Sequence, residues 1–265
     1  MPPTCCSIIY PIPRCSTKPR CAASPTCPSA RRENLEHLRW RGTGLSASVA
    51  NVCGILGGTF DPVHLGHVAL AEAAMAVLPL AEILWLPSGS PGHREPPVAG
   101  ARERLAMLRL VTAGNPRYRI DGSEIGRSEP TYTVHTLTRM RAQLGQTQPL
   151  ALILGSDSFL SLPSWLRWRE LFGLAHIAVA TRPGYIPVDG GPSPELSAEI
   201  ARRSARPEQL GASAAGRIAR FPMPPVDISA SAVRAGLAAG GDVSDLLPAA
   251  VLAYIQSQLL YSRKR

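Results

Sequence analysis

The chain has 265 residues, 45% of them hydrophobic and 18% charged, which suits one moderate domain or two small ones with a proper core. No apolar run reaches the roughly 18 residues that a membrane helix needs, so no membrane partner is expected. The formal net charge of +9 would suit a nucleic-acid binder, but its placement argues against that partner.

Seven Lys/Arg against two Glu lie in residues 1–50, and Arg263, Lys264 and Arg265 close the chain. The body between them is close to neutral. Cysteine follows the same asymmetry: Cys5, Cys6, Cys15, Cys21 and Cys27 precede a single later one, Cys53. A disulfide-built domain would spread its cysteines through the fold, and these spacings match no usual zinc pattern. Residues 1–50 are rich in Pro, Ser, Cys and Arg and lack the apolar core of a secretory signal. They read as a disordered extension, or as an upstream start of translation, to a domain at 51–262, followed by a basic tail at 263–265; a cysteine-based metal or redox arm is the sharper alternative. A cytoplasmic setting is expected.

From Val52 the pattern becomes periodic. "VCGILGG" predicts a buried strand ending in glycines, and "HLGHVALAEAAMAVL" a helix. "AEILWLP" predicts a second strand, followed by the Pro/Gly loop "SGSPGHREPPVAG". "ARERLAMLRLVTAG" predicts a helix and "YRID" a short strand. "PTYTVHTLTRMRAQLG" predicts a helix with Thr candidates for its cap. "LALILG" is a strong strand, "WRELFGLA" a short helix, and "HIAVATRPG" another strand. A helix near 194–204, a last strand at "RIARFPMP", and the helices "SASAVRAGLAAGG" and "PAAVLAYIQSQLLY" follow. This alternation predicts an α/β fold: a Rossmann-like, doubly wound parallel sheet with helices on both faces and a C-terminal helical segment. Ligands of such sheets bind beyond the strand C-termini. The loops Gly57–His67, Ser88–Gly100 and Gly155–Trp168 all follow strands and should share that face.

The stretch "GGTFDPVHLGH", residues 57–67, sits at such a strand end. If Pro62 or Val63 opens the helix, His64 and His67 share one side of its first turn. Gly66 would admit a close neighbour, and Gly57 and Gly58 would let backbone approach a ligand. Unpaired N–H groups at a helix start favour an anion, here phosphate. Three other readings compete with this one. Zinc lacks a third ligand in the motif and would face the positive end of the helix dipole. Neither glycine-rich phosphate signature fits. A capped turn with core-facing imidazoles is the purely structural alternative.

"GGTFDPVHLGH" resembles the T/H-x-G-H signature of the nucleotidylyltransferase superfamily, in the form carried by nicotinate-nucleotide adenylyltransferases. Six further segments resemble that family in the same order: "GHREPP", "PTYTVHTL", "LILGSDSFLSLPSWLRW", "TRPGY", "ISASAVR" and "LLPAAVLAYIQSQLLY". The resemblance spans roughly residues 52–262 and leaves out 1–50. It implies transfer of AMP from ATP to nicotinate mononucleotide, with Mg²⁺ arriving on the ATP phosphates and no protein metal site. It implies catalysis by His64, His67 and Arg234. ATP would meet Gly57, Gly58, Thr59, Phe60, His64, His67, Gly155, Asp157, Arg182, Ile228, Ser229, Ser231 and Arg234. Nicotinate mononucleotide would meet Thr59, His93, Arg94, Tyr132, Thr133, Asp157 and Trp165, with Trp165 stacking on the pyridine ring. Trp168 could exchange parts with Trp165, leaving one of them in the core.

The departures are Ser231 for the usual Thr, Leu166 for a frequent aromatic, Gly92 for Pro and Thr131 for Ser. A related pantetheine-phosphate adenylyltransferase or cytidylyltransferase, and an ATP-binding regulatory protein without turnover, are the competing readings. His64, Thr133 and Trp165 favour the nicotinate enzyme.

Overall fold

The computed structural model describes residues 52–91, 96–127, 129–181 and 191–262. The proposed extension and the basic tail lie outside them. β1 (Val52–Gly58), β2 (Leu80–Pro87), β3 (Ser90–Pro91), β4 (Tyr118–Ile120), β5 (Pro130–Thr131), β6 (Leu150–Gly155), β7 (His176–Thr181), β8 (Ser204–Ala205) and β9 (Ile218–Pro222) are the strands. The helices are α1 (Leu65–Val77), α2 (Ala101–Thr112), α3 (Thr133–Leu144), α4 (Ser156–Leu160), α5 (Leu171–Leu174), α6 (Pro194–Arg203), α7 (Ala230–Ala239) and α8 (Ala249–Ser257).

Seven strands form one sheet in the order β4-β2-β1-β6-β7-β9-β8, and every pairing is parallel. The order runs outward from β1 in one direction and from β6 in the other. The chain therefore reverses its winding between these two strands, where a crevice opens beyond their carboxyl ends. A second pairing, β3 with β5, joins the loop after β2 to the segment before α3.

Both sheet faces are covered, so the strands read as near-continuous apolar runs. Side chains still alternate between two cores. Val52, Leu56, Ala151, Ile153, Ala178 and Phe221 pack with α1, α2, α7 and α8. Cys53, Ile55, Leu150, Leu152, Leu154, Ile177 and Val179 pack with α3, α5 and α6. Gly54 belongs to this tight middle: a Cβ there would lie 3.0 Å from Ile153 and 3.2 Å from Leu80.

The structure corrects several local expectations. α1 starts at Leu65, with His64 as its extended N-cap residue, so His64 stands before the first turn and only His67 lies in it. No Thr caps α3; Tyr132 holds that position, without a side-chain cap bond. "WRELFGLA" divides into a 3-10 turn (Trp168–Glu170) and the four-residue α5. The expected loop after β6 contains α4 and a further 3-10 turn (Leu162–Ser164).

Candidate active site

A cavity of about 1030 Å³ opens at the carboxyl ends of β1, β2, β6 and β7, at the upper end of typical small-molecule sites. Its walls include Gly57, Gly58, Thr59, Phe60, His64, His67, Tyr132, Thr133, Gly155, Asp157, Trp165, Ile228, Ser229, Ser231 and Arg234. Segments more than 170 residues apart in sequence thus meet at one crevice. His93, Arg94 and Arg182, and the Gly92 departure, lie outside the described residues.

Beyond β1 the chain turns sharply. Phe60 takes the left-handed region at φ 50°, which sends its ring inward, where it is buried. That ring meets Trp85 of β2 at 5.6 Å and the edge of His67 at 4.9 Å, and His67 in turn stacks on His64 at 3.8 Å. The two imidazoles therefore stand on an aromatic column rooted in the sheet. Phe60 supports this column more than it offers a face to a ligand.

The backbone N–H of His64 donates to Nδ1 of His67 at 3.3 Å. With Nδ1 accepting, the ring hydrogen of His67 falls on Nε2. Gly66 is required for a reason other than ligand approach. A Cβ there would lie 3.0 Å from His64 Nδ1 and 3.1 Å from its Cε1, so the close neighbour is His64's own ring. His64 Nδ1 is itself buried without a hydrogen-bond partner.

Burial lowers the pKa of His64 to about 4. Burial, aided by the neighbouring His64, lowers that of His67 well below the ordinary value. In the free protein both rings are neutral at pH 7. His176 gives a useful contrast. It too is buried with a lowered pKa, but its Nδ1 accepts from Arg217 N–H at 3.0 Å and its Nε2 bonds the Ser213 carbonyl at 2.8 Å. Both nitrogens are satisfied, and it lines no part of the cavity. His176 is a core histidine; the other pair is not.

α7 brings Arg234 to the same wall. Its guanidinium donates to the Asp61 carbonyl at 2.7 Å and to the Ser231 hydroxyl at 3.3 Å, so it is anchored instead of waving in solvent. Ser229 caps α7, its hydroxyl accepting from Ala232 N–H at 3.1 Å.

The opposite wall comes from α3, α4 and the turns behind them. The start of α3 brings Tyr132 and Thr133 to the cavity wall, and the first N–H groups of a helix have no partner within the helix itself. Ser156 ties α4 to β7 through the Ala180 carbonyl at 2.7 Å, which carries Asp157 to the cavity. The two tryptophans separate clearly. Trp165 is partly exposed and lines the cavity, whereas Trp168 is 8% exposed and packs edge-on against Phe172 at 6.0 Å. Arg167 between them is left-handed at φ 53°.

Sequence reasoning singled out neither Asp61 nor Arg104 nor Tyr261. Arg104 is 2% exposed; it donates to the carbonyls of Thr59 at 2.8 Å and Ser88 at 2.7 Å, joining the ends of β1 and β2. A signal was present: Arg104 falls on the stripe with Met107, Leu108 and Thr112 that α2 buries, where an unpartnered arginine would be costly. Glu124 also lines the cavity, buried, with the Thr136 hydroxyl donating to its carboxylate. Burial raises its pKa above the usual carboxylate range. Among the described residues, no three His, Cys, Asp or Glu side chains are grouped to hold a metal ion. Nor is any helix there long and apolar enough to cross a membrane.

A parallel sheet with a helix-start histidine pair, an anchored arginine and a wide crevice suits a phosphate-bearing ligand, and the comparisons give the class of protein. Residues 55–236 match the family model described as cytidylyltransferase-like, and the chain belongs to that family. A probable nicotinate-nucleotide adenylyltransferase of Dechloromonas aromatica (strain RCB) is 48% identical over 210 residues, covering 78% of this chain and 96% of the relative. Its counterpart in Laribacter hongkongensis (strain HLHK9) is 47% identical over 209 residues, covering 78% and 93%. Within the family the chain thus groups with the nicotinate-nucleotide adenylyltransferases, and it is an enzyme, a nucleotidyltransferase. Among solved structures, the Plasmodium falciparum nicotinic acid mononucleotide adenylyltransferase complexed with NaAD shares the fold, with a TM-score of 0.59 at 19% identity over 80% of this chain and 97% of that one.

Proposed function

We propose that this enzyme transfers AMP from ATP to the 5′-phosphate of nicotinate mononucleotide, forming nicotinate adenine dinucleotide and pyrophosphate, in the cytoplasm. The observation that carries this reading is the two-sided crevice. One wall holds His64, His67 and Arg234; the other offers helix-start N–H groups, Asp157 and an accessible Trp165. Likeness to the relatives supports the choice of acceptor.

The attacking group is a phosphate monoester with a second pKa of about 6. It is mostly ionised at neutral pH and needs no general base. The difficulty is to bring two polyanions into line, so positioning and charge stabilisation dominate. His67 donates from Nε2–H to the phosphate that is attacked. As ATP enters, its negative charge favours protonation of the imidazoles, opposing the burial that holds them neutral beforehand. Arg234 holds the departing pyrophosphate, with the Ser231 hydroxyl beside it. Mg²⁺ would arrive on the ATP phosphates and would supply charge neutralisation there, since it commonly keeps waters and leans on substrate oxygens. On the other wall, N–H groups at Tyr132 and Thr133 bind the nicotinate carboxylate, Trp165 stacks on the pyridine, and Asp157 accepts from ribose hydroxyls.

The test supplies ATP, Mg²⁺ and one acceptor, then measures pyrophosphate. Nicotinate mononucleotide should exceed nicotinamide mononucleotide in kcat/KM by about tenfold or more, the size of a lost charge-assisted hydrogen bond. Equal values would refute the carboxylate site. Release with phosphopantetheine alone would overturn the assignment.

A further inference from the structure

The Asp61 carboxylate lies beside the Arg234 guanidinium, yet the two do not close. Arg234 Nη1 stays 3.9 Å from Asp61 Oδ2, whereas an unhindered pair of this kind approaches to about 2.8 Å. The reason is that the carboxylate is already occupied. Its Oδ2 accepts from Val98 N–H at 2.7 Å, and its Oδ1 accepts from Ala99 N–H at 3.0 Å and from the Tyr261 hydroxyl at 2.7 Å. Arg234 instead uses the neutral Asp61 carbonyl and Ser231, and its side chain remains 29% exposed at the cavity wall.

Tyr261 reaches this point from 200 residues away, out of the turn that follows α8. Leu259 and Tyr261 both hold left-handed backbone, at φ 51° and 61°. Residues with a Cβ keep that conformation only where their surroundings hold it. Burial and the adjacent Asp61 push the tyrosine pKa above its ordinary value. The hydroxyl therefore keeps its proton and acts as a donor.

We propose that Tyr261 is a positioning residue for adenylyl transfer: by holding the Asp61 carboxylate in place, it keeps that group from closing on Arg234 and leaves the remaining guanidinium N–H groups for the departing pyrophosphate. The proposal rests on the reading of Arg234 as the pyrophosphate-binding group. Without the hydroxyl, Oδ1 loses one of its two donors, and the Val98 and Ala99 N–H groups alone hold a carboxylate whose Oδ2 faces Arg234. The carboxylate would then turn toward Arg234 and compete with the leaving group for it.

The test measures binding of inorganic pyrophosphate to the full chain by calorimetry, alongside turnover and thermal midpoint. Y261F should bind pyrophosphate about tenfold more weakly and lose kcat. Its KM for nicotinate mononucleotide should stay unchanged and its midpoint close to that of the parent. In a D61N background, adding Y261F should cost no further affinity, because the competing charge is gone. A loss under threefold in Y261F, a Y261F chain that fails to fold, or the full loss repeated in the D61N background would each overturn the proposal. Failure of the functional reading looks different. A parent chain inactive with nicotinate mononucleotide but binding pyrophosphate would sink the acceptor assignment alone. An R234A chain that binds pyrophosphate normally would remove the role of Arg234, and this proposal with it.

Discussion

The two walls of the crevice are built differently. On the β1 and α7 side, polar groups are buried and cross-tied: the histidines stack on Phe60 and Trp85, Arg104 joins two strand ends, and Asp61 gathers Val98, Ala99, Tyr261 and Arg234. On the α3 and α4 side, Asp157 and Trp165 come from the short helix α4 and the turns behind it, and Ser161, Ser164 and Trp165 keep part of their surface open to the cavity. The first wall is set before any ligand arrives, as charge stabilisation of a transferring phosphoryl group requires. The second presents hydrogen-bond donors and one aromatic face, which suits recognition of an acceptor. On the proposed reading, the buried, cross-tied wall serves the chemistry and the more exposed one the choice of acceptor.

That contrast can be broken most sharply at His67. His67→Ala should lower kcat about a thousandfold, the upper range for removing one preorganised donor, while the thermal midpoint moves little. A mutant with near-normal turnover would erase the distinction between the walls.

The tryptophans sharpen the contrast within the second wall. Trp168→Ala should destabilise the fold by about 4 kcal/mol in urea unfolding, as expected for emptying a buried aromatic site. Trp165→Ala should leave stability in place and raise the KM for nicotinate mononucleotide about tenfold, the scale of one aromatic contact. A reversal of these two phenotypes would mean that the walls have been read the wrong way round.

Acid probes the first wall through stability. His64 has a folded pKa of about 4 against an ordinary 6.5, so the unfolded chain binds protons first. Its contribution is fully present above pH 6.5 and is lost as pH falls toward 4, amounting to about 3 kcal/mol. His67 and His176 act in the same direction. Unfolding free energies at pH 7 and pH 4.5 should differ less in His64→Gln than in the parent; equal slopes would show that His64 is not buried neutral. The smallest effect is expected at Gly66. Its Cβ would press on His64 by a few tenths of an ångström, so Gly66→Ala should cost about tenfold in kcat, less than the roughly hundredfold of a full ångström.

Much of this was legible in the chain itself. Apolar runs ending in glycine gave the strands, and the motif at 57–67 announced a helix start suited to phosphate. The exact start was not legible. Pro62 and Val63 are good openers, but the structure uses His64 as the N-cap residue and engages its N–H with His67. The small β3–β5 pairing and β8 escaped because two-residue strands carry no periodicity. The choice between Trp165 and Trp168 also lay beyond a pattern reading, since both are three residues apart in a segment of irregular turns.

The sequence by itself determined an α/β sheet protein with a phosphate-suited crevice at its strand ends, because periodicity and turn chemistry are local properties, and resemblance to a known family added the transferase reading. Only the tertiary structure decided which distant residues share that crevice. Asp61 meets Arg234 and Tyr261 because the reversal of winding between β1 and β6 folds the last helices over the first strand end. A contact across 173 or 200 residues is set by that strand order and by burial of polar groups that must find partners, neither of which any short stretch of sequence records.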